Sequence, residues 1–216
     1  LFMNIYGSSG LKELKKNPLN PLFNRAIMAQ YPPGSIFKTI NALVGLQDGV
    51  ITPESRFSCN RGYAYGGKVM KCHAHPSPLD LPNSISNSCN AYYCNVYRLI
   101  LEQKKFSSIE QGYDHWRDMV SSFGIGQKLN TDFTNELKGI LPTSKYYNKY
   151  YGKGRWNAFS NLSLAIGQGE LGVTPMHMAN LVCIIANRGF YYIPHIAKKI
   201  QGDTIPSRFL KPIHVK

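Results

Sequence analysis

Acidic residues are scarce in this sequence: 12 Asp and Glu stand against 25 Lys and Arg, a net charge of +13. Such an excess raises polyanions as partners, among them nucleic acid, membrane surfaces and acidic polymers. The cations are scattered, however. The nearest clusters are Lys12, Lys15 and Lys16, and a set of Lys145, Lys149, Lys153 and Arg155 interleaved with Tyr146, Tyr147, Tyr150 and Tyr151. That scatter argues against a nucleic-acid module, and no nucleic-acid partner is expected. A run of about 18 apolar residues is missing, so no segment reads as a membrane-spanning helix. The opening LFMNIYGSSG lacks the charged start and apolar core of a signal peptide. Any export signal or anchor is expected outside these residues. Internal repeats and low-complexity linkers are absent too, so the 216 residues read as one unit able to bury a core. Cysteines are few and odd in number, at positions 59, 72, 89, 94 and 183, which argues against a disulfide scaffold.

What is present is helical periodicity broken by turns. Residues 1–25 read as an irregular lead-in and 26–216 as the core. From Ser35 the apolar positions Ile36, Phe37, Ile40, Leu43, Val44 and Leu46 follow one helical face that stops near Gly49. The stretch 52–81 is rich in Gly, Pro, Cys and His and too broken for a long helix. Helices are predicted over 86–102, 113–123 and 175–187, the last with Thr174 as cap and Pro175 at its first position. Residues 124–161 read as loop, and FYYIPHIAKKI after Gly189 has strand character. Cys94 and Cys183 fall on apolar helical faces and are predicted to be core residues.

Lys38 is the residue that periodicity does not explain. It lies three positions after Ser35 in YPPGSIFK, hence on the same face of the predicted helix. Pro33 and Gly34 turn the chain into that helix at the serine, where backbone N–H groups lack partners and can stabilise an oxyanion. A lysine set among Ile36, Phe37 and Ile40 is desolvated, which favours the neutral amine able to take a hydroxyl proton. Ser-x-x-Lys alone is weak, since Ser9 and Lys12 match it as well. A capped helix with a solvated lysine is the plain alternative.

YPPGSIFK resembles the active-site motif of penicillin-binding protein transpeptidases. SCNAYYCNVY, roughly 50 residues on, supplies the family's Ser-x-Asn as Ser88, Cys89 and Asn90. FGIGQKLNTDFTNELKGILP and LSLAIGQGELGVTPMHMANLVCIIANRGFYYIPHI are similar to later segments of the elongation-type class B enzymes often called penicillin-binding protein 2. The resemblance implies an α+β fold of the penicillin-binding transpeptidase and serine β-lactamase type: a helical subdomain on an antiparallel sheet, with its C-terminal strands incomplete here. It also implies a peptidoglycan D,D-transpeptidase of cell-wall elongation and cell shape, forming an acyl-serine intermediate and inhibited by β-lactams. Ser35 is then the nucleophile, Lys38 the base, Ser88 a proton relay and Asn90 a ligand of the substrate amide. Gly167, Gln168 and Gly169 are candidates for the substrate-binding rim, with a tight turn as the equal alternative. Implied partners are peptidoglycan stem peptides and β-lactam antibiotics, with a glycosyltransferase and elongation-complex proteins reached through domains outside this chain. The implied location is the periplasmic face of the bacterial inner membrane.

The family's third motif, Lys-Thr-Gly or Lys-Ser-Gly, is missing from the 216 residues. A noncatalytic binding or sensor module of the same fold, or a serine β-lactamase or D,D-carboxypeptidase, are the rival readings. The run CNRGYAYGGKVMKCHAH, together with Cys89 inside the second motif, offers thiolates and imidazoles at spacings that suit zinc. Some elongation-type relatives carry such a zinc, and Cys59, Cys72, His75 and Cys89 fall at compatible places, in a structural role. His73 is the alternative to His75. A Cys59–Cys72 disulfide and free thiols compete with the metal, and no organic cofactor is expected.

Overall fold

The computed structural model describes residues 8–200 and 203–216. The lead-in, expected to be irregular, holds a helix, α1 (Ser8–Lys16), and the core opens with the short α2 (Arg25–Met28). Lys15 and Lys16 in the last turn of α1 complement its dipole, and the Asn24 side chain caps α2 by accepting from the Ala26 N–H. The helix predicted from Ser35 is present but begins differently. Gly34, at φ +61°, leads into a 3-10 turn over Gly34–Phe37, and regular α3 starts only at Lys38 and runs to Gln47.

The turn-rich stretch holds an antiparallel hairpin, β1 (Gly62–Tyr65) with β2 (Lys68–Lys71), paired Gly62 to Lys71 and Tyr65 to Lys68. Helix α4 (Leu81–Ser86), capped by Asp80, follows it. The helix predicted over 86–102 begins later, as α5 (Asn90–Leu101), because Ser88 takes a left-handed φ of +47° that no helix continues through. Helix α6 (Ile109–Ser122) starts earlier than the predicted 113, at a Ser108 cap whose hydroxyl accepts from the Gln111 N–H.

Helix α5 is the centre of the core. Eight of its twelve residues are buried, including Tyr92, Tyr93, Cys94, Val96 and Tyr97, and α3, α6 and a 3-10 turn at Leu162–Ile166 pack around it. Buried aromatics need partners for their polar ends. The Tyr97 hydroxyl donates to Asn161 Oδ1 at 3.0 Å, the Tyr113 hydroxyl to the Pro142 carbonyl at 2.9 Å, and the Trp116 indole to Asn41 Oδ1 at 2.8 Å. The end of α5 and the start of α6 approach so closely that a Cβ on Gly112 would lie 2.0 Å from the Leu101 carbonyl oxygen. Gly112→Ala is therefore expected to destabilise the chain by about 1–3 kcal/mol through overpacking, read as a lower midpoint in urea. An unchanged midpoint would contradict this crossing.

The stretch 124–161, expected as loop, contains α7 (Ser144–Tyr151), started by a Thr143 cap. Ahead of it the buried Glu136 carboxylate accepts from the backbone N–H groups of Leu129 and Thr131 and from the Thr131 hydroxyl, closing a loop without regular structure. Helix α8 (Pro175–Ala186) has the predicted Thr174 cap, elaborated into a reciprocal box with His177. Cys183 on α8 is exposed, correcting its expected place in the core, whereas Cys94 is buried. FYYIPHIAKKI yields only β3 (Phe190–Tyr191) and β4 (Lys199–Ile200), which pair antiparallel with β6 (Ile213–His214) and β5 (Asp203–Thr204) respectively. The class is α+β as expected, helices carrying small antiparallel pairs.

Candidate active site

Ser35 is exposed in the 3-10 turn, and the backbone N–H of Lys38 returns to its carbonyl. The turn is held from across the chain: the Gly34 N–H donates to the Gly167 carbonyl at 2.8 Å. Gly167 itself has φ +70°, and a Cβ there would fall 2.2 Å from the Gly34 oxygen and 2.6 Å from Phe37 Cβ. Gly169, at φ +77°, leaves no room for a Cβ beside Ser163 Oγ, while the Gln168 side chain is exposed. The Gly-Gln-Gly segment thus acts as a clamp on the serine turn, with Gln168 its outward-facing member.

Lys38 is buried, with 3% of its surface exposed. The apolar surroundings expected for it are only partly there, since Ile36 points to solvent; Phe37 and Ile40 are fully buried. Its amine donates to the Ser88 carbonyl at 2.6 Å, to Ser88 Oγ at 2.9 Å and to Asn90 Oδ1 at 2.7 Å. These three bonds satisfy every donor of an ammonium group, and they draw together two motifs more than 50 positions apart. Burial pushes the lysine below its usual pKa range, opposed by the nearby sulfurs of Cys72, Cys89 and Cys94. The left-handed turn at Ser88 has a purpose here: it aims both oxygens of one residue at Lys38.

Asn90 opens α5 and is engaged at both ends of its amide. Oδ1 accepts from Lys38, and Nδ2 donates to the Lys71 carbonyl of β2 at 2.8 Å. Asn41, unremarked in the sequence, proves to be a support. Fully buried on α3, it donates from Nδ2 to the Ala165 carbonyl at 2.9 Å while accepting from Trp116. Its signal was a polar residue one turn after Lys38 on the same apolar face.

Behind Ser88 and Asn90 lies a cluster of Cys59, Cys72, His75 and Cys89, whose ligand atoms all fall within 4.8 Å of one another. The five cysteines are free thiols, so the Cys59–Cys72 disulfide does not form. His75 turns Nδ1 to the Pro76 carbonyl at 2.7 Å and Nε2 to Cys72 Sγ at 3.4 Å. With a proton on Nδ1, the Nε2 lone pair faces the sulfurs, as a ligand nitrogen must. Cys89 is at once the cap of α5, its Sγ accepting from the Tyr92 N–H at 3.3 Å, and a member of this cluster. The Asn90 N–H donates to Cys72 Sγ at 3.3 Å. Burial pushes the Cys72 thiol up, but the bonds from Asn90 and His75 outweigh it, and its pKa is lowered. Burial pushes Cys89 up to about 12.

Comparison with known proteins points to one family. The family model described as the penicillin binding protein transpeptidase domain matches residues 5–216. The peptidoglycan D,D-transpeptidase MrdA of Acinetobacter baumannii is 28% identical over 208 residues, covering 94% of this chain and 29% of that protein. A crystal structure of Pseudomonas aeruginosa PBP2 in complex with WCK 5153 superposes with a TM-score of 0.80 at 28% identity, over 97% of this chain and 46% of that one. PBP2 of Helicobacter pylori, in its complex with MreC, gives a TM-score of 0.71 at 27% identity, over 93% and 35% of the two chains. The chain spans about 30% of the length of the curated relatives it matches. No helix among the described residues is long and apolar enough to cross a membrane. With the buried lysine bonded to both ends of Ser-x-Asn, and the family model running almost end to end, the chain belongs to the penicillin-binding protein transpeptidase domain family.

Proposed function

We propose that this chain forms the catalytic domain of an elongation-type peptidoglycan D,D-transpeptidase that works through an acyl-Ser35 intermediate. The observation that carries the reading is the buried Lys38, placed one turn after Ser35 and bonded to both Ser88 and Asn90. The Ser35 hydroxyl attacks the carbonyl of the penultimate D-Ala of a donor stem, its proton passing to the neutral Lys38 amine. Collapse of the tetrahedral intermediate breaks the amide, and Ser88, bonded to Lys38, returns the proton to the departing D-Ala amine. An acceptor amine then attacks the ester, restoring Ser35 and leaving a cross-link. The Ser35 N–H, in the first turn of its 3-10 segment, serves as an oxyanion donor. Asn90 holds the substrate amide, and Gln168, the exposed member of the clamp, faces the rim. A β-lactam would be opened by the same serine.

Cys59, Cys72, His75 and Cys89 would hold a zinc ion. Three sulfurs and one imidazole nitrogen, with the second ring nitrogen already tied to a carbonyl, suit a closed tetrahedral site. Four protein ligands leave no position for water, so the ion would tether the hairpin loop to the start of α5. The implied setting is the periplasmic face of the inner membrane, with a glycosyltransferase and elongation proteins as companions through other domains. The H. pylori PBP2–MreC complex supports that reading.

The test is intact-mass spectrometry after incubation with a penicillin, followed by peptide mapping. A stoichiometric adduct on Ser35 is expected. A folded protein without an adduct would overturn the catalytic reading in favour of a noncatalytic binding module. Gly167→Ala is a second probe. The clash with Gly34 displaces the serine turn, so acylation is expected to fall by about 10²-fold, since misplacement of about 1 Å is enough for such a loss. Acylation at the parent rate would mean that the clamp does not position Ser35.

A further inference from the structure

Helix α7 has two dissimilar sides. Inward, Tyr147 is fully buried and donates to Glu170 Oε2 at 3.1 Å, and the Trp156 indole donates to Asn148 Oδ1 at 2.7 Å. The first of these bonds fixes the helix to Glu170, the residue that directly follows Gly169. Outward, Tyr150 is 74% exposed, Tyr151 43% and Tyr146 41%. The rings of Tyr146 and Tyr150 stack with centroids 5.9 Å apart, and with Lys149 they line a surface hollow of about 380 Å³. Lys145, Lys149, Lys153 and Arg155 are exposed around it and, among the described residues, form no ion pair. Residues 144–155 contain neither an acidic nor an aliphatic side chain.

Resting on the function proposed above, we infer that this face binds the glycan strand that carries the stem peptides. Tyrosine rings offer flat apolar faces to the C–H faces of pyranose rings and hydroxyls to their polar edges. The cations complement stem-peptide carboxylates, which no acidic side chain here would repel. Helices that lie on lipid bury a face of Trp, Phe and Leu, and residues 144–155, which contain none of the three, match a lipid surface less well than a sugar. Location agrees: the clamp residue Gly167 holds the Ser35 turn, and Glu170, three positions on, is bonded to α7. On this proposal a strand whose stem peptide reaches Ser35 continues over the tyrosines.

The experiment is isothermal titration of the Ser35→Ala chain with uncross-linked strands of one and of four disaccharide-pentapeptide units. After correction for the number of units, the longer strand is expected to bind about tenfold more tightly. The double variant Tyr146→Ala with Tyr150→Ala should lose that gain, while single-unit affinity, and penicillin labelling when Ser35 is present, stay unchanged. Equal affinity for both lengths, or a gain that survives the double variant, overturns the proposal. Binding to phosphatidylglycerol vesicles that the tyrosine variant abolishes, with no length dependence for strands, assigns the face to lipid and overturns it as well. If Ser35 does not acylate but tyrosine-dependent strand binding persists, the proposed chemistry fails and this surface stands.

Discussion

Ser35→Ala is expected to abolish covalent penicillin labelling altogether and to leave the unfolding midpoint within experimental error of the parent. The side chain is exposed and its backbone is held by the Gly34–Gly167 hydrogen bond, so losing the hydroxyl removes the nucleophile and little else. Lys38→Met should behave differently. Acylation is expected to fall by about 10²- to 10⁴-fold, the usual contribution of a positioned base. Stability should fall too, because Ser88 and Asn90 lose the donor that pairs three half-buried acceptors. The parent's acylation rate should rise with pH as Lys38 loses its proton. Burial lowers that group's pKa, so the rise should come below the ordinary lysine value near 10.4. A rate that is flat between about pH 6 and 10 would remove Lys38 from the base role, and an adduct surviving in Ser35→Ala would move the nucleophile elsewhere.

Metal removal should have the second largest effect, and it should reach the site indirectly. Native mass spectrometry is expected to show one bound zinc, and chelation to lower the unfolding temperature by on the order of 10 °C, given the energies of structural zinc sites and the size of the chain. Hydrogen exchange should quicken first at the end of β2, where Lys71 and Cys72 are bonded to Asn90 at the start of α5, and less across β1, which Tyr63 also ties to Arg98. Cys89→Ser should mimic chelation and also slow acylation, because Cys89 sits between Ser88 and Asn90 and caps the helix they open. A metal-free native mass with an unchanged midpoint in chelator would leave the four residues as a thiol–imidazole cluster alone.

Much of this was legible in the chain, and the failures have identifiable causes. Motifs with rigid spacing could be read directly: Ser35 with Lys38, Ser88 with Asn90, and Thr174 with Pro175. Helix boundaries were not, because they depend on single backbone angles. Ser88 was read inside a helix, and its left-handed φ instead separates α4 from α5. Helix α7 looked like loop because Tyr, Lys, Ser and Gly carry little apolar periodicity; the burial of Tyr147 against Tyr113 and Trp156 stabilises it, and that packing is invisible in sequence. Cys183 sat on an apolar run of α8, yet the face it occupies is exposed. Of His75 and its alternative His73, His75 is the one that joins the three cysteines, its Nδ1 held by the Pro76 carbonyl. Asn41 was passed over because one polar residue in an apolar helix looks incidental until its two partners are known.

The double engagement of Asn90 leaves half of its amide in hand. An amide oxygen has two lone pairs and an amide nitrogen two hydrogens, and Lys38 and the Lys71 carbonyl use one of each. On the function proposed above, a stem-peptide amide pairs with what remains without breaking either bond, and the side chain that receives it is already held in place from both ends. Little ordering is then lost on binding, and the amides of the hairpin that bears Lys71 should exchange no faster when the site is full than when it is empty.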